Sequence, residues 1–212
     1  PAAGISGATT ICSGTTATVT FTGTPNATVT YTVDAGSSQT IILDATGTAT
    51  LTTPVLTADS TYDLVSVESS GTPSCILPVT GSVTITVKAI PTATIAGTTT
   101  ICSGTTTNIT FSGTPDATVN YTVDGAPSQV ILDATGSATI TTPALTVNST
   151  YALVSIDSNG TPNCSQTLIG SAIITIKALP TASIAGTTTI CSGDTTVITF
   201  TGTPNATVTY TI

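Results

Sequence analysis

Across 212 residues there is no His, Met or Trp, and only two cationic side chains, Lys88 and Lys177, stand against ten acids for a net charge of −8. The lack of His removes the commonest general base and metal ligand, and the scarcity of Lys and Arg excludes phosphate-driven nucleic-acid binding and docking on anionic membranes. No apolar run approaches the roughly 18 residues of a membrane helix, so no membrane insertion is expected.

In chain order, the opening segment PAAGISGATTIC leads into the turn sequence ICSG (11–14). ATVTFTG (17–23) then alternates, with Ala17, Val19 and Phe21 on one face and Thr18, Thr20 and Thr22 on the other. ATVTYTV (27–33) repeats the pattern with Val29, Tyr31 and Val33 inward. Further strands are predicted at TIILD (40–44), TATLT (48–52), TYDLVSV (61–67) and SVTITVK (82–88), separated by turn residues at GTPN (23–26) and SSGTP (69–73). No segment has helical periodicity. About seven short strands in roughly 90 residues, each with one apolar face, predict an all-β fold of immunoglobulin-like (fibronectin III-like) β-sandwich modules. Leu56 precedes Tyr62 by six residues, and Leu145 precedes Tyr151 by six. That spacing resembles a tyrosine corner, which gives Tyr62 and Tyr151 a structural role.

The same elements recur. PAAGISGATTIC at Pro1 returns as PTATIAGTTTIC at Pro91 and PTASIAGTTTIC at Pro180, a period of 90 and then 89 residues. The lost residue falls in a predicted hairpin, where VDAGSSQTIILDATG (33–47) becomes VDGAPSQVILDATG (123–136). Between 91–123 and 180–212, 26 of 33 positions are identical, which points to recent duplication and a linear array. The expected organisation is repeat 1 at 1–90, repeat 2 at 91–179 and an incomplete repeat 3 at 180–212. About three strands in the last are too few to close a sandwich, so the chain reads as cut from a longer polymer. Pro1, with no Met or signal peptide before it, reads as the start of a fragment or mature segment.

Tests for chemistry come back empty. Calcium needs six to eight oxygens from grouped carboxylates and carbonyls. The junctions VKAIPTAT (87–94) and IKALPTAS (176–183) contain a Lys and no acid, while Asp34, Asp44, Asp59 and Asp63 are scattered over turns. No base stands ready to activate the many Ser and Thr hydroxyls. The expectation is a non-enzyme with no catalytic residues, no metal site and no cofactor. Ordered Thr rows such as TVTYT (28–32) suit ice only on flat solenoids, whereas sandwich sheets twist. Seven Asn-x-Ser/Thr sequons, at Asn26, Asn108, Asn120, Asn148, Asn159, Asn163 and Asn205, are expected by chance in so Thr-rich a chain.

Five cysteines remain: Cys12, Cys75, Cys102, Cys164 and Cys191, two per full repeat. No C-x-x-C spacing suggests a metal or redox motif. Free thiols are one reading and disulfides the favoured one. Pairing inside each repeat would join Cys12 to Cys75 and Cys102 to Cys164. Strand order argues against it, because Cys12 lies before the second strand at the lower end of the sandwich and Cys75 follows the sixth strand at the upper end. Those ends are roughly 25 Å apart, and bridged Cα atoms lie within about 7 Å. Head-to-tail stacking instead brings Cys12 of repeat 1 to Cys164 of repeat 2. Cys102 and Cys191 would then reach forward, and Cys75 backward, into further repeats.

The ICSG frame, the Gly-Thr-Pro-x-Cys loop and the Thr-rich strands together resemble the tandem Ig-like or PKD-like repeats of giant secreted surface adhesins of Bacteroidota, of the SprB gliding type. That resemblance implies type IX secretion, an extracellular, cell-surface location, and roles in adhesion or gliding. It also makes Asp59-Ser60-Thr61 and Asp194-Thr195-Thr196 similar to that group's O-glycosylation motif, at Ser60 and Thr195. Tyr31, Tyr121 and Tyr210 stand where many such modules carry Trp. The expected function is a non-catalytic stalk or fibre whose partners are neighbouring repeats of the same chain. The alternatives are modules that bind a surface glycan or protein ligand, and a self-assembling filament subunit.

Overall fold

The computed structural model describes all 212 residues. The first module holds β1 (Ala3–Ser6), β2 (Thr9–Cys12), β3 (Thr18–Gly23), β4 (Thr28–Val33), β5 (Gln39–Ile42), β6 (Thr48–Thr52), β7 (Ser60–Glu68), β8 (Ile76–Pro78) and β9 (Ser82–Lys88). One sheet runs β1-β3-β6. The other runs β2-β9-β7-β4-β5, with β8 added on β7. The second module repeats this as β10 (Ala93–Ala96), β11 (Thr99–Cys102), β12 (Asn108–Gly113), β13 (Thr118–Val123), β14 (Ala126–Ile131), β15 (Ser137–Thr141), β16 (Ser149–Asp157), β17 (Ser165–Thr167) and β18 (Ser171–Lys177). Its sheets are β10-β12-β15 and β11-β18-β16-β13-β14. The all-β sandwich is the one the alternation predicts.

The opening segment differs from the sequence reading. It is two strands in two sheets: β1 runs antiparallel to β3, with Ile5 opposite Phe21, while β2 runs parallel to β9, with Cys12 opposite Lys88. The crossing occurs at Gly7, whose φ is 117° and where a Cβ would lie 2.6 Å from the Thr18 carbonyl oxygen. Only Gly fits that backbone and that gap. TTIC is therefore a strand, and the turn begins after Cys12.

Each module has its own core. Val19, Phe21, Val29, Leu43, Tyr62, Val67 and Ile85 are fully buried in the first, with Ile109, Phe111, Val119, Leu132, Ile156 and Ile174 in the second. The period-2 reading placed Val19, Phe21, Val29 and Tyr31 on this face. Phe21 and Tyr31 lie 4.9 Å apart by ring centroids and Tyr31 and Tyr62 6.5 Å apart, with 4.8 and 6.4 Å for the matching trio Phe111, Tyr121 and Tyr151. Such ring clusters add to the burial of their area. Burial pushes the Tyr31 and Tyr151 hydroxyls up from the usual phenol range.

Residues 180–212 form β19 (Ala182–Ala185) and β20 (Thr199–Gly202), paired antiparallel. Of the about three strands expected in this segment, only these two form and the third does not. In the second module the equivalent strand, β13, is held on both sides by β14 and β16, and 206–212 has neither neighbour. Ile184, Phe200 and Tyr210 are left exposed.

Candidate inter-module junction

Cys12 closes β2 at the end of the first module that faces the second, side by side with Lys88 at the end of β9. The Ser13 amide donates to the Lys88 carbonyl at 2.9 Å, which extends that pairing into the turn. From the other side comes the loop Ser158–Cys164, after β16. Its ends are tied by Ser158 N to Cys164 O at 2.8 Å and by Cys164 N to Ser158 Oγ at 3.0 Å. Asn159 fastens the loop to its own module, donating to the Asp116 carbonyl at 2.6 Å and accepting from Thr118 Oγ1 at 3.2 Å. Gly160 adopts φ 102° at the tip.

Two contacts join these pieces. A disulfide links Cys12 to Cys164 across 152 residues of sequence, with their Cα atoms 5.6 Å apart, an ordinary span for a bridge. Lys88 Nζ donates to the carbonyls of Ser158, Asn159 and Pro162 at 3.1, 3.0 and 3.1 Å. An ammonium has three donors, and all three are used on backbone oxygen rather than on a carboxylate. The bridge is the between-repeat pairing that strand order favours, and Cys12–Cys75 pairing is excluded. The lysine clamp was missed. Its signal was available: the chain's only two cations, Lys88 and Lys177, occupy the same place before each linker.

Each end of the pair carries half of another such junction. Cys102 lies beside Lys177 at the end of β18, its thiol free and exposed. A cleft of about 460 Å³ opens there, lined by Cys102, Lys177, Pro180, Thr203, Asn205 and Thr207 among others. In the first module the loop Ser69–Cys75 is tied like its counterpart, Ser69 N to Cys75 O at 2.9 Å and Cys75 N to Ser69 Oγ at 3.0 Å, and Cys75 is free and exposed. Cys191 is likewise exposed and unbridged.

The remaining singled-out residues lie away from this junction. Tyr62 and Tyr151 are buried. Neither hydroxyl is hydrogen-bonded to upstream backbone as a tyrosine corner would have it, so these rings act through packing. Ser60 is buried, and its hydroxyl donates to Asp34 Oδ2 at 3.1 Å. A glycan there does not fit the folded module. Thr195 is exposed. Asp34, Asp44 and Asp59 are structural acceptors, while Asp63 lies within β7 and not in a turn. Asp34 also accepts from Thr61 N at 2.7 Å, and Asp59 accepts from Val87 N at 2.7 Å. Asp44 accepts from Thr46 Oγ1 at 2.7 Å and from the Thr46 and Thr48 amides. Led by the Thr46 hydroxyl, these donors hold its pKa down to about 2. Asp133 is lowered in the same way by Thr135 and Ser137. No three His, Cys, Asp or Glu side chains come together, and no helix is long and apolar enough to cross a membrane.

No family of known proteins matches the sequence, and no curated protein does. Solved structures do. A calcium-stabilised adhesin described as helping an Antarctic bacterium reach out and bind ice aligns over 87% of this chain and 52% of its own, at 18% identity and a TM-score of 0.51. The chain thus spans about half the length of that adhesin's structure. A marsupial T cell receptor aligns over 87% of this chain and 77% of its own, at 12% identity and a TM-score of 0.55. A 1.5-MDa bacterial ice-binding adhesin gives 14% identity over 87% of this chain and 68% of its own, at 0.44. At these identities the likeness is one of fold: the chain is built of immunoglobulin-like sandwich modules.

Proposed function

We propose that the chain is a segment of an extracellular structural stalk, of the kind that carries bacterial adhesins, in which successive modules are fastened covalently. The observation that carries this is the junction itself. A disulfide and a three-carbonyl lysine clamp fix one module on the next, and the half-junctions at Cys75 and at Cys102–Lys177 repeat the same parts. A disulfide persists in oxidising compartments outside the cytosol, in keeping with a cell-surface location. The resemblance to Bacteroidota gliding adhesins extends the reading to type IX secretion, and the fold likeness to an adhesin is consistent with it.

Small-angle scattering tests the stalk. A compact single body of this length has a radius of gyration near 17 Å, and two stacked modules give a rod well above that. Reduction should loosen the rod into two bodies on a flexible linker. A particle near 17 Å, or a profile indifferent to reductant, defeats the proposal. Reproducible binding on a glycan array would instead favour the ligand-binding reading.

A further inference from the structure

The position of the bridge, and not only its presence, has a mechanical meaning. Follow the covalent chain from the N-terminus under tension. It passes through β1 and β2, reaches Cys12 at the foot of the first module, and crosses directly to Cys164. From there it descends β18 to the foot of the second module and continues through the linker toward Cys191. A second segment of equal length, 75–102, runs down β9, through its linker and down β11. In each module the two segments lie side by side as a parallel strand pair: β2 with β9 in the first, β11 with β18 in the second.

We infer that the bridge is a load path: tension along the stalk is carried by these paired strands and by disulfides, while residues 13–74 and 103–163, with most of both hydrophobic cores, hang beside it. This inference rests on the stalk reading and adds to it the function of the junction. A stalk of non-covalent sandwiches lengthens by unfolding whenever force exceeds module stability. One with a bridged load path lengthens only by the residues outside the bridge, because the folded mass between the bridged residues is bypassed. The lysine clamp holds the loop Ser158–Cys164 in place beside the bridge, so the path stays short before load arrives.

The arithmetic is set by the chain. The bridge encloses 152 residues, which are shortened to a 5.6 Å Cα–Cα step while it is closed. At about 3.3–3.6 Å per extended residue, those residues add about 500–550 Å when it opens, and the roughly 60 residues outside it reach only about 200–220 Å.

Single-molecule pulling on the 212-residue chain, held at both termini by cysteine-free peptide tags, tests this. Without reductant, total extension should stop near 200–220 Å; with a phosphine reductant, or in Cys12→Ser, it should grow by about 500–550 Å. A variant with Cys75, Cys102 and Cys191 all changed to Ser should keep the short limit, because those thiols are free and exposed. An oxidised chain that extends fully overturns the load path, and so does a Cys12→Ser chain that stays short. The stalk reading is judged separately. An elongated particle with full oxidised extension removes only the load path, whereas a compact particle with the short limit removes the stalk and leaves the bridge.

Discussion

Replacing Cys12 with Ser should destabilise the second module far more than any other surface substitution, and the structure sets the size. In the chain-entropy account, a bridge stabilises by closing a loop in the unfolded chain. The nominal loop is 152 residues, but that length applies only if both modules unfold together. Each module has its own core, so they unfold one at a time. With the first module folded, β2 and β9 hold Cys12 beside Lys88. The loop that matters then runs from Lys88 to Cys164, about 76 residues, and closing it contributes about 4 kcal/mol at 25 °C. For a domain of this size that corresponds to a loss of roughly 15 °C or more in melting temperature. Calorimetry of the oxidised wild type and of Cys12→Ser reads the difference, with Cys75→Ser as a control that should melt like wild type. A Cys12→Ser chain melting with the wild type would refute the reasoning. So would a Cys75→Ser penalty of equal size, which would mean that the bridge lies elsewhere.

Three further outcomes follow from the same geometry. Lys88→Met, which keeps the aliphatic stem and removes the ammonium, should lower the urea stability of the junction by about 1–3 kcal/mol, while Lys177→Met, whose socket holds no loop, should be silent. Phe21→Ala should cost the first module about 3–5 kcal/mol by opening a cavity in its ring cluster, and Phe111→Ala the same in the second, read as separate calorimetric transitions. Asp44 has a depressed folded-state pKa, about 2 against an unfolded value near 3.9. Its contribution is therefore fully present above pH ~4 and lost as pH falls toward about 2. Asp44→Asn should flatten the urea midpoint of the first module over that window, and an unchanged slope would show that the Thr46 and Thr48 donors do not hold the carboxylate.

How much was legible depended on side-chain period. Strands β3, β4 and β9 announce themselves because Val, Ile, Phe and Tyr alternate with Thr over six or more residues, and the tertiary structure leaves that pattern intact. In β7 the alternation slips where its pairing with β4 shifts register, leaving Val65 exposed and Val67 buried. The split of the opening segment was not legible. Four-residue strands hold too few alternations, and the change of sheet rests on a positive φ at Gly7 and its approach to Thr18. Strand β8 was hidden for the same reason, three residues in an exposed loop. At the junction, cysteine identity and strand direction were enough to indicate the bridge, because a disulfide has a hard distance limit. The clamp escaped notice because its acceptors are backbone carbonyls, which no side-chain pattern records. In the sequence, Lys88 counts only toward the scarcity of cations and against calcium at the linker.

The junction's chemistry also explains why a covalent bond is needed there. Both hydrophobic clusters end within their own modules, and none crosses the linker. Hydrophobic burial, the main force in most associations, therefore contributes little to holding one module on the next. Charge does not help, since a net −8 over the chain makes the modules repel weakly. What remains is one lysine on three carbonyls, and a partly exposed clamp of that kind competes with water. Its worth of a few kcal/mol at most is comparable to the freedom that two tethered bodies regain on separating. The clamp alone gives an alignment that flickers. Adding the bridge gives a second covalent tie beside the linker, and the clamp then operates at a higher effective concentration. The order of dependence is thus fixed: reduction should release Lys88 from its carbonyls, whereas loss of Lys88 should leave the bridge closed.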